Sequence, residues 1–188
     1  RTTDRIRTEG TILDFSRIIE RWAAFQPTKP ALHFQGTDVT YGELWARIDT
    51  LTMRLASLGV HAGDRVAWLG YNHPDMLATL FALARLGGVL VPLNFRLAKP
   101  ELASILEHAE AGILIVDPDF YPTGEALSRD LPLVKMVGLR DAPRGWFAWD
   151  GPLPGGFAPK LRGDDSMPLM IVYTSGTTGR PKGAVHTQ

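Results

Sequence analysis

One run of this chain gathers residue types able to hold a polyanion: Met170-Ile171-Val172-Tyr173-Thr174-Ser175-Gly176-Thr177-Thr178-Gly179-Arg180-Pro181-Lys182-Gly183. An apolar stretch, Met170 to Tyr173, delivers the chain into a segment with two glycines, four hydroxyl side chains and one lysine between Thr174 and Lys182. Glycine lets consecutive backbone amides approach an anion and form a concave nest for phosphate oxygens. Ser and Thr add hydroxyl donors, and Lys182 adds a mobile positive charge. Together they suit the polyphosphate of a nucleotide. Gly, Ser, Thr and Pro also dominate ordinary exposed turns, so residue type alone does not make a site. The order excludes the common phosphate loop, which needs Gly, four residues, then Gly-Lys-Ser/Thr; five residues after Gly176 stands Pro181. The dinucleotide-binding glycine pattern is missing too. The segment reads as a different phosphate loop.

The elements that must position it alternate in period. Phe15, Ile18, Ile19, Trp22 and Phe25 recur at helical spacing, and Pro27 stops that helix. Residues 31–34 and 39–41 read as short strands around a turn at Gln35-Gly36-Thr37-Asp38. Thr40-Tyr41-Gly42-Glu43 has the form of a capping box, followed by Leu44, Ile48, Leu51, Leu55 and Leu58 on one face and Gly59 at the end. Strands are expected at 65–69, 89–93, 113–116 and 133–139, with helices opened by Pro74 (to about Leu86) and by Pro100. The Pro100 helix carries Leu102, Ile105, Leu106 and Ala109 on one face, and Pro92 marks the end of the second strand. Apolar strands alternating with helices predict an α/β fold, a parallel or mixed sheet with helices on both faces.

Residues 140–167 differ. Pro143, Gly145, Gly151, Pro152, Pro154, Gly155, Gly156 and Pro159 argue against any regular element, and Trp146, Phe147, Trp149 and Phe157 are expected to pin this long connection to the surface. Arg96 follows a strand end, where such folds often bind ligands, but helix capping accounts for it equally well. His33, His61, His73, His108 and His186 show no metal-ligand spacing, and Asp164-Asp165 reads as a solvated pair before a strand.

Composition narrows the class further. The 188 residues suffice for one core, and 45% apolar with 21% charged residues is an ordinary globular balance. Twenty Lys and Arg offset twenty Asp and Glu, which argues against a nucleic-acid or anionic-membrane partner. Cysteine is absent, excluding disulfides and thiolate metal sites. Residues 1–10 lack the apolar core of a signal peptide, and Met76 to Leu86 is too short for a transmembrane segment, so a soluble, cytoplasmic protein is expected.

Tyr173 to Gly183 resembles, position for position, the signature loop of the acyl-adenylate-forming superfamily of acyl- and aryl-CoA synthetases, luciferases and peptide-synthetase adenylation domains. Val39-Thr40-Tyr41-Gly42-Glu43-Leu44 looks like that family's early strand-to-helix segment. Leu86-Gly87-Gly88-Val89-Leu90-Val91-Pro92-Leu93-Asn94-Phe95-Arg96-Leu97 is similar to its acyl-CoA synthetase branch, Asn94 standing where peptide-synthetase domains usually have Asp. The likeness covers the chain from about Thr11.

The resemblance implies an AMP-forming acid–thiol ligase that activates a carboxylic acid, expected to be fatty, with ATP and passes it to CoA. It implies that Thr174, Ser175, Gly176, Thr177, Thr178, Gly179, Arg180, Pro181 and Lys182 hold the β- and γ-phosphates, and that Thr174 helps hold Mg²⁺. It also implies that residues 1–188 are the N-terminal part of the large adenylation domain, ending after the phosphate loop and without the C-terminal lid domain. The catalytic lysine is expected in that missing part, and Lys182 is not its counterpart. The chain alone is accordingly expected to be inactive and prone to self-association. Gln188 stands where many relatives have His. Two alternatives stay open: an adenylating enzyme that passes the acyl group to a carrier-protein thiol, and a non-catalytic nucleotide-binding module.

Overall fold

The computed structural model describes residues 14–132, 134–153, 159–174 and 181–188. Helix α1, Arg17–Phe25, buries Ile19 and stacks Trp22 on Tyr41 with ring centroids 5.5 Å apart. Strands β1, Pro30–Phe34, and β2, Thr37–Thr40, pair as an antiparallel hairpin. Its turn is tighter than the spacing suggested. Only Gln35 and Gly36 lie outside the strands, and both have positive φ, 49° and 81°, as a two-residue hairpin turn requires.

Helix α2, Tyr41–Ser57, opens on the anticipated capping box: the Glu43 N–H donates to Thr40 Oγ1 at 3.3 Å, and the Thr40 N–H donates to the Glu43 carboxylate at 2.8 Å. Gly59, at φ 89°, turns the chain beyond the helix. Strand β3, Arg65–Leu69, leads to α3, Pro74–Leu86, whose first orphan amide is satisfied when the Asp75 N–H donates to His73 Nδ1 at 3.1 Å. Burial holds the His73 ring below its ordinary pKa, which keeps it a neutral acceptor. Gly87, at φ 73°, ends the helix in the left-handed turn that glycine favours.

Strand β4, Val89–Pro92, helix α4, Lys99–His108, and strand β5, Ala111–Val116, follow. After a 3₁₀ turn at Pro118–Phe120 comes α5, Tyr121–Asp130, an element the periodicity did not reveal. Strands β6, Lys135–Gly138, β7, Phe147–Ala148, β8, Pro168–Thr174, and β9, Lys182–Thr187, complete the chain.

The main sheet runs β7-β6-β5-β3-β4-β8-β9. Every neighbouring pair is parallel except β8 and β9, so the sheet is mixed. Alternation along β3 sends Val66 and Trp68 into the core beneath α2 and α3, while Ala67 and Leu69 enter the core beneath α4 and α5. Helices thus cover both faces, as the apolar strands required.

The connection after β6 corrects one expectation. Residues 140–167 do contain a regular element, the two-residue β7, which borrows its backbone pairing from β6. Trp149 goes deeper than a surface pin: it is 6% exposed, sits in the α2/α3 core, and meets Trp68 edge-to-face at 6.4 Å. Trp146 packs edge-to-face on Tyr121, whereas Phe147 stays 49% exposed; Phe157 lies outside the described residues. The returning chain is strapped to α3, where the Arg162 and Gly163 N–H groups donate to the Arg85 carbonyl at 2.9 and 3.0 Å.

Candidate nucleotide-phosphate site

Parallel strands share one C-terminal edge, and the loops that leave it form the usual ligand-binding rim of an α/β sheet. Here β3, β4, β5, β6 and β8 end at Leu69, Pro92, Val116, Gly138 and Thr174. The sequence-predicted phosphate segment therefore leaves the sheet at that rim. Thr174 and Lys182 face each other as the last pair of the β8–β9 ladder, and both are exposed. Directly opposed residues hold their Cβ atoms about 4.5–5.5 Å apart, so one hydroxyl and one ammonium group flank the mouth of the loop. Ser175, Gly176, Thr177, Thr178, Gly179 and Arg180 lie outside the described residues. Pro181 is described, half-buried beside the start of β9.

The stem is secured from below. Leu169 is buried, and Met170 to Tyr173 are half-buried between the two cores. Tyr173 shares a 2.7 Å hydrogen bond through its hydroxyl with His108 Nδ1, and burial raises its pKa. The sequence favours only a structural or surface role for His108; its partner lies 65 positions away, so local pattern does not reveal the pairing. Gln188, at the end of β9, is a strap: its Nε2 donates to the Ala84 carbonyl at 3.1 Å, and its Oε1 accepts the Phe15 N–H at 2.7 Å.

Elsewhere on the rim, Tyr71, Phe95 and Phe120 form an aromatic cluster with centroids 4.9, 5.1 and 5.5 Å apart. Asp117, buried just past the end of β5, pairs with Arg140 at 3.4 Å. Arg96 caps no helix. Its guanidinium rests 5.4 Å from the Phe95 ring, and the Ala98 N–H at the start of α4 is taken by Glu101 at 2.8 Å. Asp164 accepts the Ser166 N–H at 2.8 Å, forming a turn before β8, and its bonds from the Ser166 hydroxyl and amide hold its carboxyl below the usual range. Among the described residues no three His, Cys, Asp or Glu side chains converge as metal ligands, and no helix is long and apolar enough to cross a membrane.

A doubly covered α/β sheet with a hydroxyl- and lysine-bearing loop at the carboxyl rim defines the class. The chain belongs to the AMP-binding enzyme family, whose pattern matches residues 19–188. It is 40% identical over 179 residues to an indoleacetate–CoA ligase of Aromatoleum aromaticum, covering 94% of this chain and 35% of that protein. A long-chain-fatty-acid–CoA ligase of Thermus thermophilus is 41% identical over 150 residues, covering 79% of this chain and 28% of that protein. Among solved structures, the anthranilate CoA ligase AuaEII in complex with anthranoyl-AMP superposes with a TM-score of 0.83 at 27% identity, covering 95% of this chain and 35% of that one. The chain spans about a third of the length of the curated relatives it matches.

Proposed function

We propose that this chain supplies the nucleotide-phosphate loop of an ATP-dependent carboxylate–CoA ligase. The observation that supports the reading is the Tyr173–Gly183 sequence, whose described ends, Thr174 and Lys182, face each other at the carboxyl rim, within a match that spans nearly the whole chain. A carboxylate oxygen attacks the α-phosphorus of ATP, the bond to the bridging oxygen breaks, and pyrophosphate leaves behind an acyl-adenylate. The CoA sulfur then attacks the acyl carbonyl, its proton is lost, and AMP departs with the bonding electron pair. Such transfers depend on positioned donors and positive charge more than on covalent chemistry by the protein.

In this scheme Thr174 to Lys182 bind the β- and γ-phosphates. Lys182 neutralises charge on the departing pyrophosphate, and the Thr174 hydroxyl donates to a phosphate oxygen or joins the ligands of Mg²⁺. When bound, Mg²⁺ supplies Lewis-acid charge on the phosphates. Thr174 offers it one neutral oxygen, which fits a metal that takes most of its ligands from phosphate and water. Residues 1–188 accordingly belong to an adenylation domain and span about a third of the length of the ligases they match. A cytoplasmic setting accords with ATP and CoA as co-substrates.

Two acid classes have support. A fatty acid is favoured by the Thermus relative, and an aryl or arylacetic acid by the Aromatoleum relative, which matches more of this chain. The test is AMP release by the full-length protein with CoA and a panel of short, medium, long and aromatic acids. CoA-dependent release with one class establishes the ligase and names its substrate. Release that instead requires a carrier-protein thiol supports the other acceptor.

A further inference from the structure

We propose that His108, Tyr173 and Gly183 form a clamp that positions the stem of the phosphate loop, making Tyr173 and His108 positioning residues for ATP binding. This inference rests on the function proposed above. Three features converge. Tyr173 immediately precedes Thr174, so its ring sets the direction in which β8 releases the chain toward the phosphates. Its hydroxyl shares a 2.7 Å hydrogen bond with His108 Nδ1, and the two rings meet edge-to-face at 5.7 Å with an interplanar angle of 89°. That bond ties the last residue of α4 to the penultimate residue of β8, two elements adjacent neither in sequence nor in the sheet. It supplements the single registered pair, Leu90 opposite Met170, by which β8 joins β4.

The third feature is Gly183, directly opposite Tyr173 in the β8–β9 register. A Cβ at Gly183 would lie 2.7 Å from Ile171 Cγ2, closer than such atoms pack, and 3.1 Å from Tyr173 Cζ, a tight contact. A side chain here would press first on Ile171 and then on the Tyr173 ring, so glycine leaves room for both. The ring lies across the bare backbone of β9, and its hydroxyl reaches α4 from there. Burial favours the neutral phenol, so the hydroxyl remains available to its partner at physiological pH. Neither Tyr173 nor His108 needs to touch the nucleotide; both act by fixing the Thr174–Lys182 pair.

The test uses the full-length protein and two readouts: Mg·ATP binding by calorimetry without acid, and steady-state kinetics of carboxylate-dependent exchange. Tyr173→Phe keeps the ring and removes only the hydroxyl; His108→Ala removes the partner. Each should weaken ATP binding and raise the ATP KM by about three- to ten-fold, the effect of one net hydrogen bond. The acid KM should stay unchanged, the melting temperature should fall by no more than the loss of one exposed hydrogen bond allows, and the double variant should be no worse than either single one. Gly183→Ala, which leaves both partners intact but presses on Ile171 and on the Tyr173 ring, should shift the ATP KM in the same direction. Unchanged ATP affinity in Tyr173→Phe and His108→Ala overturns the clamp, as does a fall in melting temperature with unaltered ATP parameters. If the wild type binds Mg·ATP but exchanges with no acid, the ligase reading fails while binding alone still decides the clamp. If the wild type binds no ATP, the clamp falls with the phosphate site.

Discussion

Replacing Trp149 by alanine should destabilise the protein by about 4 kcal/mol, although this residue sits in a connection rich in Pro and Gly. The indole is 6% exposed in the α2/α3 core, and the residue is fixed at both ends of its contact: its backbone N–H donates to the Gly138 carbonyl at 2.9 Å, and its ring meets Trp68 edge-to-face. An aromatic side chain buries about 150–250 Å². At about 25 cal/mol per Å² this corresponds to about 4–6 kcal/mol, an upper bound because unfolded chains already bury some surface. Trp-to-Ala changes in cores cost about 3–5 kcal/mol, and the cavity left beside Trp68 cannot collapse far against a sheet. For a domain of this size the loss is about 8–16 °C of melting temperature, read by far-UV circular dichroism. Phe147→Ala, two residues away but 49% exposed, is the control and should change stability by no more than about 0.5 kcal/mol. Equal melting of the two variants would refute the claim that the connection is anchored through the core.

Three further outcomes are expected. Burial lowers the folded-state pKa of His73, so its contribution to stability is fully present above the unfolded value, about 6.5, and is lost as pH falls through the folded one. His73→Asn keeps a capping acceptor without a titrating ring, and denaturation midpoints between pH 7 and 5 should fall less than in the wild type. Lys182→Met should weaken ATP binding about ten-fold or more, the scale of one charge-assisted hydrogen bond, with little change in melting temperature because Lys182 is exposed. The isolated 188-residue chain should self-associate in sedimentation velocity: among the described residues β9 is an edge strand with all six of its residues exposed, and unpaired edges template further strands. A concentration-independent monomer would contradict that last expectation.

The sequence was most legible where one local rule and the tertiary structure agreed. Thr40 and Glu43 cap α2 as their spacing requires, and Pro74 and Gly87 bound α3 for reasons contained within a few residues. Helix α5 was hidden because Gly124 argues against a helix locally, although Pro122 in its first turn is compatible with one. Packing overrides that preference: a Cβ at Gly124 would come within 2.5 Å of Trp146 Cη2, so glycine is there to admit an aromatic ring from the connection after β6. Strand β7 was hidden because two residues carry no periodicity, and its existence depends on β6. At the candidate site, the phosphate-binding residue types were readable from order and spacing alone. The pairing of Tyr173 with His108 was not, since the fold alone brings α4 against β8.

Carboxylate-dependent exchange of radiolabelled pyrophosphate into ATP by the full-length protein bears most directly on the central claim, because it reports the adenylation step before any acceptor is involved. The account predicts exchange with at least one acid of the panel, abolished by omitting the acid and strongly reduced in Lys182→Met. No exchange with any acid, in protein shown to be folded and to bind ATP, would contradict it.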